Sequence, residues 1–97
     1  MAKGYWIVTY NEVKDADKMK AYAELAGPVL GGFGGKYLVR GNPSKAYENG
    51  KMQRVVLIEF ADLATAIAAH DSEGYQKALE ILDDGADRDI RVCEAME

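Results

Sequence analysis

The chain has 97 residues, 48% of them apolar and 29% charged, which fits a single domain over 1–97 with one core and one site rather than a cleft between two lobes. A formal charge of −4 disfavours general attraction to nucleic acid or anionic lipid. Cys93 is the one cysteine, so no internal disulfide and no paired thiols for a metal are expected. With no apolar leader core and no run near the roughly 18 residues of a membrane span, the expectation is a cytoplasmic protein with no membrane partner.

Gly4 to Tyr10, GYWIVTY, is dense in β-branched and aromatic side chains and stops at Asn11-Glu12, which predicts strand one. Asp15 is placed to cap a helix whose Met19, Tyr22, Ala23, Ala26 and Leu30 share one face. Pro28 is expected to kink that helix or end it early, because it removes an amide donor and crowds the preceding turn. The run GGFGG, Gly31 to Gly35, comes next. A Walker loop would need a glycine where Leu30 stands and a hydroxyl where Tyr37 stands, and a dinucleotide fingerprint would also need glycine at Tyr37. Both motifs run from strand to helix, whereas here a helix precedes and a strand follows, so the glycines read as a helix stop and a tight turn.

Lys36 to Arg40 reads as strand two, and Gly41-Asn42-Pro43-Ser44 as a loop. Tyr47-Glu48 is expected to return briefly before Asn49-Gly50, a hairpin signal that feeds strand three from Met52 to Phe60. Asp62 is expected to cap a helix with Leu63, Ala66, Ile67 and His70 on one face. After the break at Asp71-Ser72-Glu73-Gly74, a second helical piece carries Tyr75, Ala78, Leu79 and Leu82. Asp83 to Asp89 reads as a polar turn, and Ile90 to Ala95 as a closing strand. The order β-α-β-β-α-β is the ferredoxin-like pattern, an α+β subunit with a four-stranded antiparallel sheet.

Strands one and three are apolar on both faces: Trp6 and Val8 oppose Tyr5 and Ile7, while Val56, Ile58 and Phe60 oppose Val55 and Leu57. Two helices cover one face of such a sheet. The apolar character of the other face predicts a homodimer packed through its sheets.

The segments KGYWIV, GGKYLVRG, VVLIEF and SEGYQKAL, in this order and spacing, resemble the DUF1330 family over nearly the whole chain. The resemblance implies a ferredoxin-like subunit of the dimeric α/β-barrel superfamily, in which two sheets face each other and enclose a pocket. That superfamily includes cofactor-free monooxygenases, haem-degrading enzymes, dehydratases, isomerases and ligand-sensing domains, so it implies a place to look and no reaction. The chain departs from the usual family pattern in three places. Ser72-Glu73-Gly74-Tyr75 stands where many members have Ser-Pro-Glu-Tyr, His70 stands where an aromatic residue is common, and Asp83-Asp84 stands near where most members carry an arginine.

The candidate chemistry centres on few side chains. Arg40, with Leu38 on the same face by strand parity, needs a partner if it points inward. It reads either as an ion pair with Glu59 or as a guanidinium aimed at a carboxylate or enolate in the dimer pocket. His70, the one histidine, reads either as a satisfied core or interface residue or as a proton-transfer group working with Glu59 or Tyr75. Tyr5, Trp6, Tyr10 and Tyr37 read as core or, if one set lines the pocket, as walls for a flat apolar or aromatic ligand whose polar handle meets Arg40. His70, Asp71 and Glu73 offer a single nitrogen, and the glycine at 85 is misplaced for a calcium loop, so neither a metal nor a cofactor is expected. Cys93 is expected to be a buried, inert thiol. These features point to a small-molecule-binding protein, either a cofactor-free enzyme acting on a small organic acid or aromatic compound or a noncatalytic binding or structural dimerisation module.

Overall fold

A computed structural model describes residues 2–97. In chain order the elements are β1 (Gly4–Val13), α1 (Ala16–Gly32), β2 (Lys36–Gly41), β3 (Val55–Phe60), α2 (Leu63–Asp71), α3 (Glu73–Leu82) and β4 (Ala86–Glu94). The strands form one antiparallel sheet in the order β2-β3-β1-β4, the ferredoxin-like arrangement expected. Helices cover one face, and the whole is a slab of 36 × 33 × 15 Å. Trp6, Val8 and Tyr10 of β1 and Val56, Ile58 and Phe60 of β3 point into the core with Tyr22, Ala26 and Leu30 of α1, as strict alternation requires.

Side chains at the helix ends set the boundaries. Asp15 accepts from the amides of Asp17 and Lys18, Asp62 from Thr65, and Ser72 from Tyr75, so each helix has a capped first turn. Ser72 also donates to the Ala69 carbonyl at 2.8 Å, which ties α2 to α3 across the expected break. Gly34 ends α1 with φ of 77°. Its amide reaches the Gly31 carbonyl and the Gly35 amide reaches Leu30, both at 2.9 Å, which is a Schellman stop. Gly74 admits a different closeness: a Cβ there would lie 2.9 Å from a methyl of Val29, so its bare backbone lets α3 approach α1.

Several boundaries differ from expectation. Pro28 neither ends α1 nor shortens it, since the helix runs on to Gly32. The proline ring and Glu24, whose carbonyl it deprives of a donor, both lie on the exposed side, where water replaces the lost bond. Asn49-Gly50 does not make a strand-to-strand hairpin: the Gly50 amide bonds to Tyr47 at 2.9 Å in a local turn, within a loop over 42–54 that carries no strand at Tyr47-Glu48 and delays β3 to Val55. β1 and β4 are longer than expected because their far ends pair with each other, Glu12 with Asp87 and Val13 with Ala86. The polar turn therefore shrinks, and Asp87 to Asp89 become strand.

Asp83 and Asp84, which oppose the dipole at the end of α3, find a partner in Lys18 at 3.1 and 2.8 Å. Asp84 first, then Asp83, hold the Lys18 ammonium above its ordinary value. This exposed contact pins the start of α1 to the end of α3 and adds little stability. Cys93 is exposed, not buried, because Arg88, Ile90 and Val92 take the inward parity of β4 and leave Cys93 opposite Tyr5 on the open face.

Candidate functional site

A β-bulge decides where Arg40 points. Tyr37 pairs with Ile58 and Arg40 with Val56, but the register shifts between Tyr37 and Val39, so Leu38 is the extra residue. Parity is reset across it, and Arg40 shares the helix-side face with Tyr37 rather than with Leu38. The ion pair with Glu59 is excluded by the same register, which sets Lys36 opposite Glu59. Arg40 instead lies over the Tyr37 ring at 5.2 Å, a cation–π contact at the exposed mouth of a cleft.

That cleft lies within one subunit, between α1 and the sheet. Its floor is Trp6, Val8, Val56 and Ile58, its roof is Met19, Tyr22, Ala23, Ala26 and Leu30, and its polar wall is Tyr10, Tyr37, Arg40, Arg54 and Arg88. The empty space is about 410 Å³ including the open mouth, but the centre of a water-sized sphere reaches only about 30 Å³ of it. The passage is thus narrow.

Arg88 is the most constrained of the three cations. Its guanidinium donates to the hydroxyls of Tyr10 at 3.0 Å, Tyr75 at 3.1 Å and Tyr22 at 3.3 Å. It also lies over the Tyr22 ring at 4.8 Å and the Tyr10 ring at 5.5 Å. Tyr22 and Tyr75 close the network with a 2.6 Å hydroxyl contact. Burial, and then the Tyr75 hydroxyl, push the Tyr22 phenol above its ordinary range despite the opposing pull of Arg88. The Tyr22 phenol is therefore neutral near pH 7 and leaves the guanidinium charge uncancelled. Arg54 presents a similar deficit, since its buried Nε has no partner. Among the described residues no carboxylate lines the cleft, and none of Arg40, Arg54 and Arg88 makes a salt bridge.

The other candidates divide between places. Trp6, 1% exposed, donates from its indole to the Ala66 carbonyl at 2.8 Å and presents its ring to the cleft floor. Tyr75, 0% exposed, stands behind the cleft and holds Arg88. His70 packs against the rings of Trp6 and Tyr75, with centroids at 5.7 and 5.2 Å, and contacts Asp71 at 3.2 Å. Glu59 and Tyr5 lie on the opposite face of the sheet, where the Tyr5 hydroxyl donates to Glu59 at 2.9 Å and Lys3 stands 3.7 Å away. Arg40, His70 and Glu59 therefore do not converge on one void within a subunit. Among the described residues, no group of three or more potential ligands could hold a metal.

The sequence carries no functional signal at Arg54, and Tyr22 reads there only as a core position of α1. The available signal for Arg88 was its parity with Ala86, Ile90 and Val92, which marks an arginine on an inward-facing row.

The family model described as Domain of unknown function (DUF1330) matches residues 3–96. No curated protein matches the chain. Among solved structures, a protein of unknown function from Rhodopseudomonas palustris superposes with a TM-score of 0.77 at 15% identity, covering 99% of this chain and 84% of that one. A dimeric protein of unknown function and ferredoxin-like fold from Bacteroides fragilis gives 0.59 at 12% identity, covering 96% of each chain. A protein provisionally assigned as an antibiotic biosynthesis monooxygenase, from Caulobacter crescentus, gives 0.62 at 16% identity, covering 99% and 91%. At these identities the likeness establishes the fold.

Proposed function

The chain belongs to the DUF1330 family, and from that footing we propose that it binds a small organic anion in the cleft between α1 and the sheet, as a homodimer joined through its open sheet faces. One observation carries the binding reading: three guanidiniums line a single cleft whose walls contain no carboxylate. Arg54 and Arg88 are half-buried without an ionic partner and Arg40 stands exposed at the mouth, and a bound carboxylate or enolate would supply the missing charge in the bidentate geometry that arginine favours. Trp6 and Tyr37 give the apolar body of the guest a surface, Arg40 and Arg54 guard the mouth, and Tyr75 holds Arg88 in place.

Ile7 is 37% exposed and Val39 47% exposed on the open face, beside Val55 and Leu57. Such an apolar strip on an uncovered sheet supports self-association, as does the dimeric description of the B. fragilis neighbour. Glu59 and Tyr5 then belong to the dimer contact rather than to the cleft. With His70 and Glu59 on opposite faces, the account is one of binding and assigns no proton-transfer step to that pair.

Thermal denaturation with hexanoate tests the binding reading. Hexanoate should raise the melting temperature of the wild type by mass action, and Arg88→Met should shrink that rise. An unchanged melting temperature at saturating hexanoate, or an undiminished rise in the variant, contradicts the assignment of the site.

A further inference from the structure

We infer that the guest of this cleft is a dianion, with one negative group at each end of a short apolar body. The inference rests on the anion-binding reading above and specifies which anion. Its basis is that the unpaired cations come from opposite edges of the sheet. Arg88 belongs to β4 and Arg40 to β2, the two outermost strands in the order β2-β3-β1-β4, and Arg54 leads into β3. Three inter-strand spacings of about 4.8 Å separate the edge backbones by about 14 Å, and both arginine side chains reach inward from those edges to line the same cleft.

At the β4 end, the hydroxyls of Tyr10, Tyr22 and Tyr75 accept from Arg88. The Tyr10 hydroxyl keeps its own proton to donate, so an anion docking there meets a guanidinium and a phenol together. At the β2 end, Arg54 Nε is buried and unpartnered, and Arg40 stands at the mouth. A neighbouring groove shares Met19, Ala23, Arg40 and Arg54 with the cleft and adds Lys20, again with no carboxylate in its walls. Between the ends the floor is Trp6, Val8 and Ile58, which offers no partner for charge and suits methylene or ring carbon. A monocarboxylate neutralises one end only, and a single phosphate does the same.

Isothermal titration of the wild-type protein with hexanoate and with adipate, which have equal carbon counts and differ by one carboxylate, tests this directly. Adipate should bind one per cleft and about tenfold or more tighter than hexanoate. Arg40→Gln, at an exposed position, and Arg88→Met should each bring adipate down to the wild-type hexanoate level. Equal affinity for the two acids overturns the dianion and leaves the anion site standing. Two hexanoates per cleft with no advantage for adipate also overturn it, since they mean independent anions. Binding of neither acid overturns this inference and the anion-binding reading together.

Discussion

The hydroxyls of Tyr22 on α1 and Tyr75 on α3 meet at 2.6 Å, and Arg88 donates to both. Three elements distant in sequence thus share one polar knot inside an otherwise apolar core. Tyr75→Phe keeps the ring and its packing but removes an acceptor from Arg88 and a partner from Tyr22. Leaving such groups short of a bond costs about 1–3 kcal/mol. Urea unfolding of the variant should show that loss at unchanged m-value.

Arg88→Met separates stability from binding. Replacing a half-buried cation that has no ionic partner by an apolar side chain of similar length removes its desolvation cost, which offsets the donor lost to the three tyrosine hydroxyls, so the urea midpoint should hold. Hexanoate affinity should nevertheless fall about tenfold or more. Parallel loss of both quantities would assign Arg88 a structural role alone.

The Tyr22 phenol gives stability a pH dependence of known sign. Its folded-state value is raised, so the fold favours the protonated form. That contribution is complete below the ordinary phenol value of about 10 and is lost as pH climbs from there towards the folded value. Urea midpoints should decline above about pH 10 in the wild type, and Tyr22→Phe should show a shallower decline.

Gly74→Ala would place a methyl 2.9 Å from a Val29 methyl. Overpacking of this kind costs about 1–3 kcal/mol, despite the better helix propensity of alanine. Val29→Ala should relieve the clash, so a double-mutant cycle should return a favourable coupling between the two substitutions.

Ile7→Glu addresses the assembly. Ile7 pairs with Leu57 and Arg91 at the centre of the open face, where like charges from two copies would meet. Light scattering should give a dimer for the wild type and a monomer for the variant, with the cleft still able to bind hexanoate.

The parts legible in the sequence were those with an unbroken period. Alternation placed Trp6, Val8, Val56, Ile58 and Phe60 on one face, and all five are core. Helical spacing likewise placed Tyr22, Ala26 and Leu30 inward. Arg40 was legible as a candidate cation, but its direction and neighbours were not, because a single unpaired residue at Leu38 resets the parity and only the pairing with β3 reveals it. Arg88 was hidden for a related reason. Asp87-Arg88-Asp89 has the composition of a turn, and what makes it strand is pairing with the distant β1, Arg88 opposite Tyr10 and Asp87 opposite Glu12. The cleft beneath α1 was therefore not legible as a whole, because Arg40 and Arg88 take their places in it only through strand pairing.

The most direct test uses Trp6, the one tryptophan of the chain, which lies in the cleft floor. Its fluorescence should change saturably as hexanoate is added and stay flat with hexanamide, which has the same carbon skeleton and no charge. A response to neither compound, or an equal response to both, would contradict an anion site built from Arg40, Arg54 and Arg88.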